Sequence, residues 1–315
     1  MPIIQSNYRP PTYLFNGYLQ TVAPFFGVKP NRSLYHTEKM ELPDGDFLEL
    51  DWIRGGYDKL MIICHGLEGN SRSHYVQQMA EHFCLRGFDI LAIHARSCGR
   101  EMNRLPVLYH GGSTADIAAI VDAYAPNYNS LVLVGFSLGA NMLLNFATRH
   151  RTPPNLNAIA AFSVPCDLRK SEQQIDRWVN RPFAEKFLVK LKNKVRKLEA
   201  QHPGVFDINK LDGMKNIQSF TAQFTAPFSG FDSLEQFYIA GSSLQALADI
   251  TIPTLLVNAQ NDPFLSKTSY PLDLAMASAY LFVEIPKHGG HTAFPISSTI
   301  SWMPGRLETF LQQLS

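Results

Sequence analysis

The segment Val134-Gly-Phe-Ser-Leu-Gly-Ala-Asn141 contains the pattern Gly135-x-Ser137-x-Gly139. Its residue types ask for nucleophilic chemistry. A serine hydroxyl attacks a carbonyl only when a neighbouring base takes its proton, and its Oγ must first stand clear of its own backbone. A tight turn between a strand and a helix does this. The serine is held in a strained conformation, side chains two residues to either side would collide, and the helix that follows turns N–H groups and its positive end toward developing negative charge. Alone, the pattern arises by chance in about one chain in ten of this length. Here an apolar run, Leu131-Val-Leu-Val134, precedes it and a helical stretch, Leu138 to His150, follows. Both flanks fit such an elbow.

A base and an acid must complete the set. With this elbow the acid follows the nucleophile along the chain and the histidine comes last. Asp262 stands in the loop Gln260-Asn-Asp-Pro-Phe264, just after an apolar run, and His291 stands in Lys287-His-Gly-Gly-His-Thr-Ala-Phe294, after the last one. His288 shares that loop, but the glycine pair before His291 permits a turn that aims its ring at Ser137. Asp249 precedes a strand and falls at the wrong edge, and Glu284 lies inside one. Backbone donors for a tetrahedral oxyanion are expected from Leu138, next after Ser137, and from Leu67 in His65-Gly-Leu-Glu-Gly-Asn70. His65 reads as a residue bracing that loop, and Glu68 has no evident role.

These residues need a frame. Asp46 to Arg54 alternates apolar and polar, as a half-exposed strand does. Lys59 to Cys64, Phe88 to Ile93, Leu131 to Val134, Ala158 to Val164, Pro253 to Val257 and Tyr280 to Ile285 are short, continuous apolar runs, which suit strands of a parallel sheet covered on both faces. Helical stretches fall between them at His74–Arg86, at Ala115–Ala125 with Thr114 as N-cap, at Leu138–His150 and at Met303–Leu314. The alternation predicts a doubly wound α/β architecture with right-handed crossovers. Ser137, Asp262 and His291 then gather at the carboxyl ends of parallel strands, where sites form in open α/β sheets. From 166 to 247 no strand run appears. That interval reads as a helical lid inserted into a single domain spanning 1–315.

Within the lid, Phe183, Phe187, Leu191, Val195 and Leu198 recur at helical spacing with Lys186, Lys190, Lys194 and Lys197 between them. The pattern predicts a lid helix with a solvated basic face, leaving room for peripheral membrane contact but not for stable insertion. Trp178, Phe183, Phe187, Phe206, Phe220, Phe224, Phe228, Phe231 and Phe237 are expected to divide between the lid's own core and an apolar pocket. His94, Arg96, Tyr109 and His110 follow a parallel strand within reach of the site edge, and loop bracing is the preferred reading of them.

Bulk properties set the remaining bounds. With 45% hydrophobic and 17% charged residues and a formal net charge of +1, no global field recommends nucleic acid or a membrane surface as partner. The cysteines Cys64, Cys84, Cys98 and Cys166 form no CxxC pair, so neither a zinc knuckle nor a redox couple is indicated. No His and carboxylate cluster has metal-ligand spacing, and neither metal nor cofactor is expected. The first residues lack the basic and apolar regions of a signal peptide, and no apolar run approaches the roughly 18 residues of a spanning helix. A cytoplasmic protein is the expectation.

Taken together, Asn16-Gly-Tyr-Leu-Gln-Thr21, His65-Gly-Leu-Glu-Gly69, Asn103-Arg-Leu-Pro-Val-Leu-Tyr-His110, Gly135-Phe-Ser-Leu-Gly-Ala-Asn141, Thr225-Ala-Pro-Phe-Ser-Gly-Phe231, Asp262-Pro-Phe264 and Gly289-Gly-His-Thr-Ala-Phe294 resemble the YheT-like, or hydrolase-4, branch of the α/β-hydrolases over nearly the whole chain. The resemblance implies the α/β-hydrolase fold, a mostly parallel eight-stranded sheet with helices on both faces and a helical lid. It also implies carboxylesterase or lipase-like activity on apolar acyl esters, some members acting on glycerides or phospholipids and some transferring acyl groups to alcohols. Carried over by position, the family triad falls on Ser137, Asp262 and His291. The family often has His where this chain has Tyr18. The expected activity is thus a metal-independent serine esterase. An acyltransferase using the same acyl-enzyme and a non-catalytic ligand-binding protein on the same fold are the rivals.

Overall fold

The structure is a computed structural model that describes residues 2–27 and 35–314. Its strands are β1 (Ile3–Ile4), β2 (His36–Glu41), β3 (Phe47–Ile53), β4 (Lys59–Cys64), β5 (Asp89–Ile93), β6 (Ser130–Phe136), β7 (Leu156–Phe162), β8 (Thr254–Val257) and β9 (Leu281–Glu284). They form one nine-stranded sheet in the order β1-β9-β8-β7-β6-β4-β5-β3-β2. β3 pairs antiparallel with both β2 and β5, and every other pairing is parallel. The expected count of eight is therefore exceeded, and two strands fall outside the segments read as strands from the sequence. β2 is the edge strand His-Thr-Glu-Lys-Met-Glu, with no fully buried residue. β1 is two residues added beside β9. Charged residues on an edge are how sheets avoid pairing with other chains.

The α-helices among the described residues are α1 (Gly17–Gly27), α2 (His74–Cys84), α3 (Ala115–Tyr124), α4 (Leu138–Arg149), α5 (Leu168–Ile175), α6 (Arg181–Gln201), α7 (Asn209–Asp212), α8 (Ile217–Phe220), α9 (Leu234–Gly241), α10 (Leu272–Ala277) and α11 (Met303–Leu314). Strand alternation sorts the core into two layers. Met61, Ile63, Val132 and Val134 face α2 and α11 through Met79, Phe83, Leu307 and Phe310. Leu60, Ile62, Leu131 and Leu133 face α3 and α4 through Ile120, Val121, Leu143 and Phe146. Burying a side chain of this size is worth about 1.5–3 kcal/mol, so these layers fix the register of the central strands. Thr114 precedes α3 but makes no capping bond; its hydroxyl instead meets His150 Nε2 at 2.8 Å.

Five helices, α5 to α9, lie between β7 and β8. They have their own core of Leu188, Leu191, Val195, Leu198, Phe220 and Phe224, closed from below by Leu108 and Leu67. Phe206 and Phe228 join it, their rings 4.2 Å apart. Trp178 is 83% exposed and belongs to neither core nor pocket. No helix among the described residues is long and apolar enough to cross a membrane.

Candidate active site

β6 ends at Phe136 and α4 begins at Leu138, leaving Ser137 alone on the turn with φ 52° and ψ −121°. Such a conformation costs an L-residue on the order of 1–3 kcal/mol and persists only where neighbours enforce it. Here the Ser137 N–H donates to the Phe162 carbonyl at 2.9 Å, and its own carbonyl accepts the Asn141 N–H at 3.1 Å. The glycines make room. A Cβ on Gly135 would lie 2.4 Å from Ala140 Cα, and one on Gly139 would lie 2.3 Å from the His65 carbonyl oxygen.

The structure brings the other two candidates to this serine. His291 Nε2 lies 3.0 Å from Ser137 Oγ, and His291 Nδ1 lies 2.8 Å from Asp262 Oδ2. The second carboxylate oxygen of Asp262 accepts the Phe264 N–H at 2.9 Å, and the Phe264 ring sits 4.7 Å from the imidazole. His288 is exposed, with the Asn261 amide 3.5 Å from its Nδ1.

Helix α1, absent from the expected helices, holds both loops in place. The buried Gln20 side chain accepts from Gly289 N–H and Asn261 Nδ2, and donates to the Leu14 carbonyl. Thr21 Oγ1 accepts the His291 N–H at 2.9 Å. Contact is so close that a Cβ on Gly17 would lie 1.9 Å from the Asn261 carbonyl oxygen. The sequence carried this signal in Asn16–Thr21, where polar residues interrupt an otherwise apolar stretch. Tyr18 projects outward and stacks on Phe183 of α6.

The loop after β4 passes directly beneath Ser137, since a Cβ on Gly66 would lie 3.0 Å from Ser137 Cβ. His65 braces it. Its Nε2 accepts the Ala95 N–H, so Nδ1 carries the proton and donates to the Gly66 carbonyl at 2.7 Å. Burial pushes this imidazole down to about 3, which keeps it neutral. Glu68, next after Leu67, is fastened at three points. Its N–H donates to Tyr109 Oη at 2.7 Å, its carbonyl accepts from Lys190 Nζ at 3.0 Å, and its carboxylate pairs with Lys194 Nζ at 2.5 Å. Lys194 is buried rather than on the solvated face expected for it. The lysines of α6 repeat at i, i+4 and read as one stripe, but Lys194 meets a carboxylate 126 residues away that no local pattern reveals.

Above these residues lies a cavity that opens to solvent. Leu67, Ser137, Leu138 and His291 line its base. Of the lid aromatics expected to line a pocket, Phe187, Phe220 and Phe237 do so, joined by Phe264. Tyr109 and His110 also face it, whereas His94 binds Asp51 and Arg96 binds Asp44, Asp46 and Asp116, away from the cavity. The cavity wall desolvates Glu172 and pushes its carboxyl up to about 7, with the Asp176 carboxylate pushing the same way. Asn141 and Asn145 of α4 both donate to the Gly241 carbonyl at the end of α9.

Known proteins resemble this chain in sequence and in fold. The chain is 29% identical to the Escherichia coli (strain K12) protein named "Putative esterase YheT", over 94% of this chain and 90% of that one. It is 24% identical to mouse "Phospholipase ABHD3", over 93% and 74%. It is 26% identical to the "Monoacylglycerol lipase" of Saccharomyces cerevisiae, over 94% and 66%. Among solved structures, the Pyrococcus furiosus esterase Pf2001 superposes with a TM-score of 0.56 at 17% identity, covering 100% of this chain and 99% of that one. Mouse alpha/beta hydrolase domain-containing protein 10 gives 0.58 at 16% identity, over 89% and 100%. At such identities these likenesses speak to the fold alone. The sequence model of the alpha/beta hydrolase fold matches residues 59–297, from β4 through the His291 loop. With three quarters of the chain so matched, and a sheet and elbow of that form, the protein belongs to the α/β hydrolase fold family.

Proposed function

We propose that the protein is a serine hydrolase that cleaves carboxylic acyl esters through an acyl-enzyme. The observation that carries this reading is the hydrogen-bonded series Ser137 Oγ, His291 and Asp262 at the base of a largely apolar cavity. The esterase, phospholipase and lipase named above, as relatives, support it. Asp262 accepts a hydrogen bond from His291 Nδ1–H, which leaves the Nε2 lone pair free to take the proton of Ser137 as Oγ attacks the ester carbonyl. The carbonyl oxygen becomes an oxyanion, held by the N–H groups of Leu138 and Leu67. As the C–O bond to the alcohol breaks, His291 returns that proton to the leaving oxygen. Water, activated by the same Nε2, then releases the acid. The test is a panel of ethyl esters of increasing acyl length. Each buried methylene is worth about 0.8 kcal/mol, so kcat/KM should climb roughly fourfold per CH₂ and level off once the cavity is full. A flat profile, or a preference for an acyl group ending in a charge, would refute the apolar acyl site.

The Glu68 contacts make a second prediction. Glu68 and Lys194 hold the loop that presents Leu67, and their side chains are only 7% and 4% exposed. Lys194→Met strands a buried carboxylate, and breaking a buried pair on one side costs about 3–5 kcal/mol. The loop should relax toward water, with kcat falling by about tenfold to a hundredfold and KM changing little, because an oxyanion donor acts mainly in the transition state. The double variant Glu68→Leu/Lys194→Met removes both charges and should recover stability and part of kcat. If the double variant is worse than Lys194→Met alone, the pair does not position this loop.

A further inference from the structure

Helix α5 turns one face to the cavity through Leu168, Ser171, Glu172 and Ile175, at spacings of three, four and seven residues from the first. Two of these are apolar, as the acyl site requires. The other two are not. Ser171 is 3% exposed, and its hydroxyl has no hydrogen-bond partner among the described residues. Most buried hydroxyls in folded proteins have a partner, so one without calls for an explanation. Beside it, Glu172 accepts from Thr221 Oγ1 at 2.9 Å and from Tyr238 Oη at 2.7 Å, one donor on each carboxylate oxygen. A carboxylate oxygen has two acceptor positions, so each retains one. Thr221 and Thr225 bound a single π-helical turn and also line the cavity; such turns are frequent at functional sites.

We propose that Ser171 and Glu172 form a second, hydrogen-bonding subsite in the cavity that receives a free hydroxyl carried by the ester substrate. A hydroxyl fits this pair because it donates to the Glu172 carboxyl and accepts the Ser171 proton. A ketone lacks the donor and a methyl group lacks both. The subsite rests on the esterase reading and adds the substrate class, a hydroxylated ester. The hydroxyl can belong to the alcohol or to the acyl chain, and matched pairs of equal shape separate the two. Hydroxyethyl octanoate is compared with propyl octanoate, and ethyl ω-hydroxyoctanoate with ethyl nonanoate.

Wild-type enzyme should favour the hydroxylated member of one pair by about tenfold or more in kcat/KM, since a site built to bond a hydroxyl leaves its polar groups unpaired against the methyl analogue. Which pair responds identifies the side that carries the hydroxyl. In Ser171→Ala and in Glu172→Leu that ratio should fall to within about twofold of one, while Glu172→Gln, which keeps an acceptor, retains part of it. Ratios near one in wild type for both pairs, with all four esters hydrolysed, would overturn the subsite and leave the esterase reading standing. Parallel loss on both members of the responding pair, with the ratio intact, would also overturn it, by marking Ser171 and Glu172 as structural. Failure to hydrolyse any of the four would instead overturn the esterase reading and the subsite with it.

Discussion

Ser137→Ala should lower ester turnover by on the order of 10⁴-fold or more, with the folded structure intact. The size follows from the role proposed for Oγ. It forms the acyl bond, and residual turnover can come only from water bound near the oxyanion donors. Stability should hardly move, because among the described residues the serine hydroxyl hydrogen-bonds only to His291, while the backbone bonds to Phe162 and from Asn141 remain. Ser137→Gly gives a sharper control. The φ of 52° and ψ of −121° suit glycine better than any L-residue. This variant should be as inactive as the alanine one yet show a Tm equal to or above wild type, the relieved strain of about 1–3 kcal/mol exceeding the entropic cost of glycine in the unfolded chain, about 0.4–1 kcal/mol. A fluorophosphonate should label wild type on Ser137 and leave both variants unlabelled. Turnover above a few per cent in Ser137→Ala would show that the elbow does not hold the nucleophile.

What the sequence made legible follows from where each residue's partners lie. The central strands stood out because both faces are buried, so Lys59 to Cys64 and Leu131 to Val134 read as unbroken apolar runs. β2 did not, because an edge strand is polar by need, and β1 did not, because two residues carry no pattern. The elbow was legible because its requirements are local: glycines at Gly135 and Gly139, a strand before and a helix after. The roles of Gln20, Thr21 and Lys194 were not, since each exists only through a partner far along the chain, Gly289, His291 and Glu68 respectively. Glu68 had no evident role for the same reason. A buried ion pair between two segments leaves no trace in either segment alone, and Lys194 looks like its exposed neighbours Lys190 and Lys197 until the fold is known.

The two histidines of one loop give the second large effect. His291→Ala should be about as damaging as Ser137→Ala, whereas His288→Ala should stay within about twofold of wild type. The loop explains the contrast. Gly290 adopts φ +61°, and a Cβ there would lie 2.7 Å from the Thr21 backbone nitrogen. The turn packs against α1, and the Thr21 hydroxyl receives the His291 N–H. His291 is thereby turned inward between Ser137 and Asp262, and His288 is left outside near Asn261. Residues that act as one unit fail together, so Ser137→Ala/His291→Ala should be little worse than either single variant. Independent contributions would instead multiply, and a double variant slower than both singles by a further thousandfold would break the proposed coupling. Asp262→Asn should lose less than either, because an amide still fills the site and holds the ring in part, although it stabilises the charged imidazole poorly. If His288→Ala matched His291→Ala in its loss, the base would have to be reassigned to a residue that the fold holds at the surface.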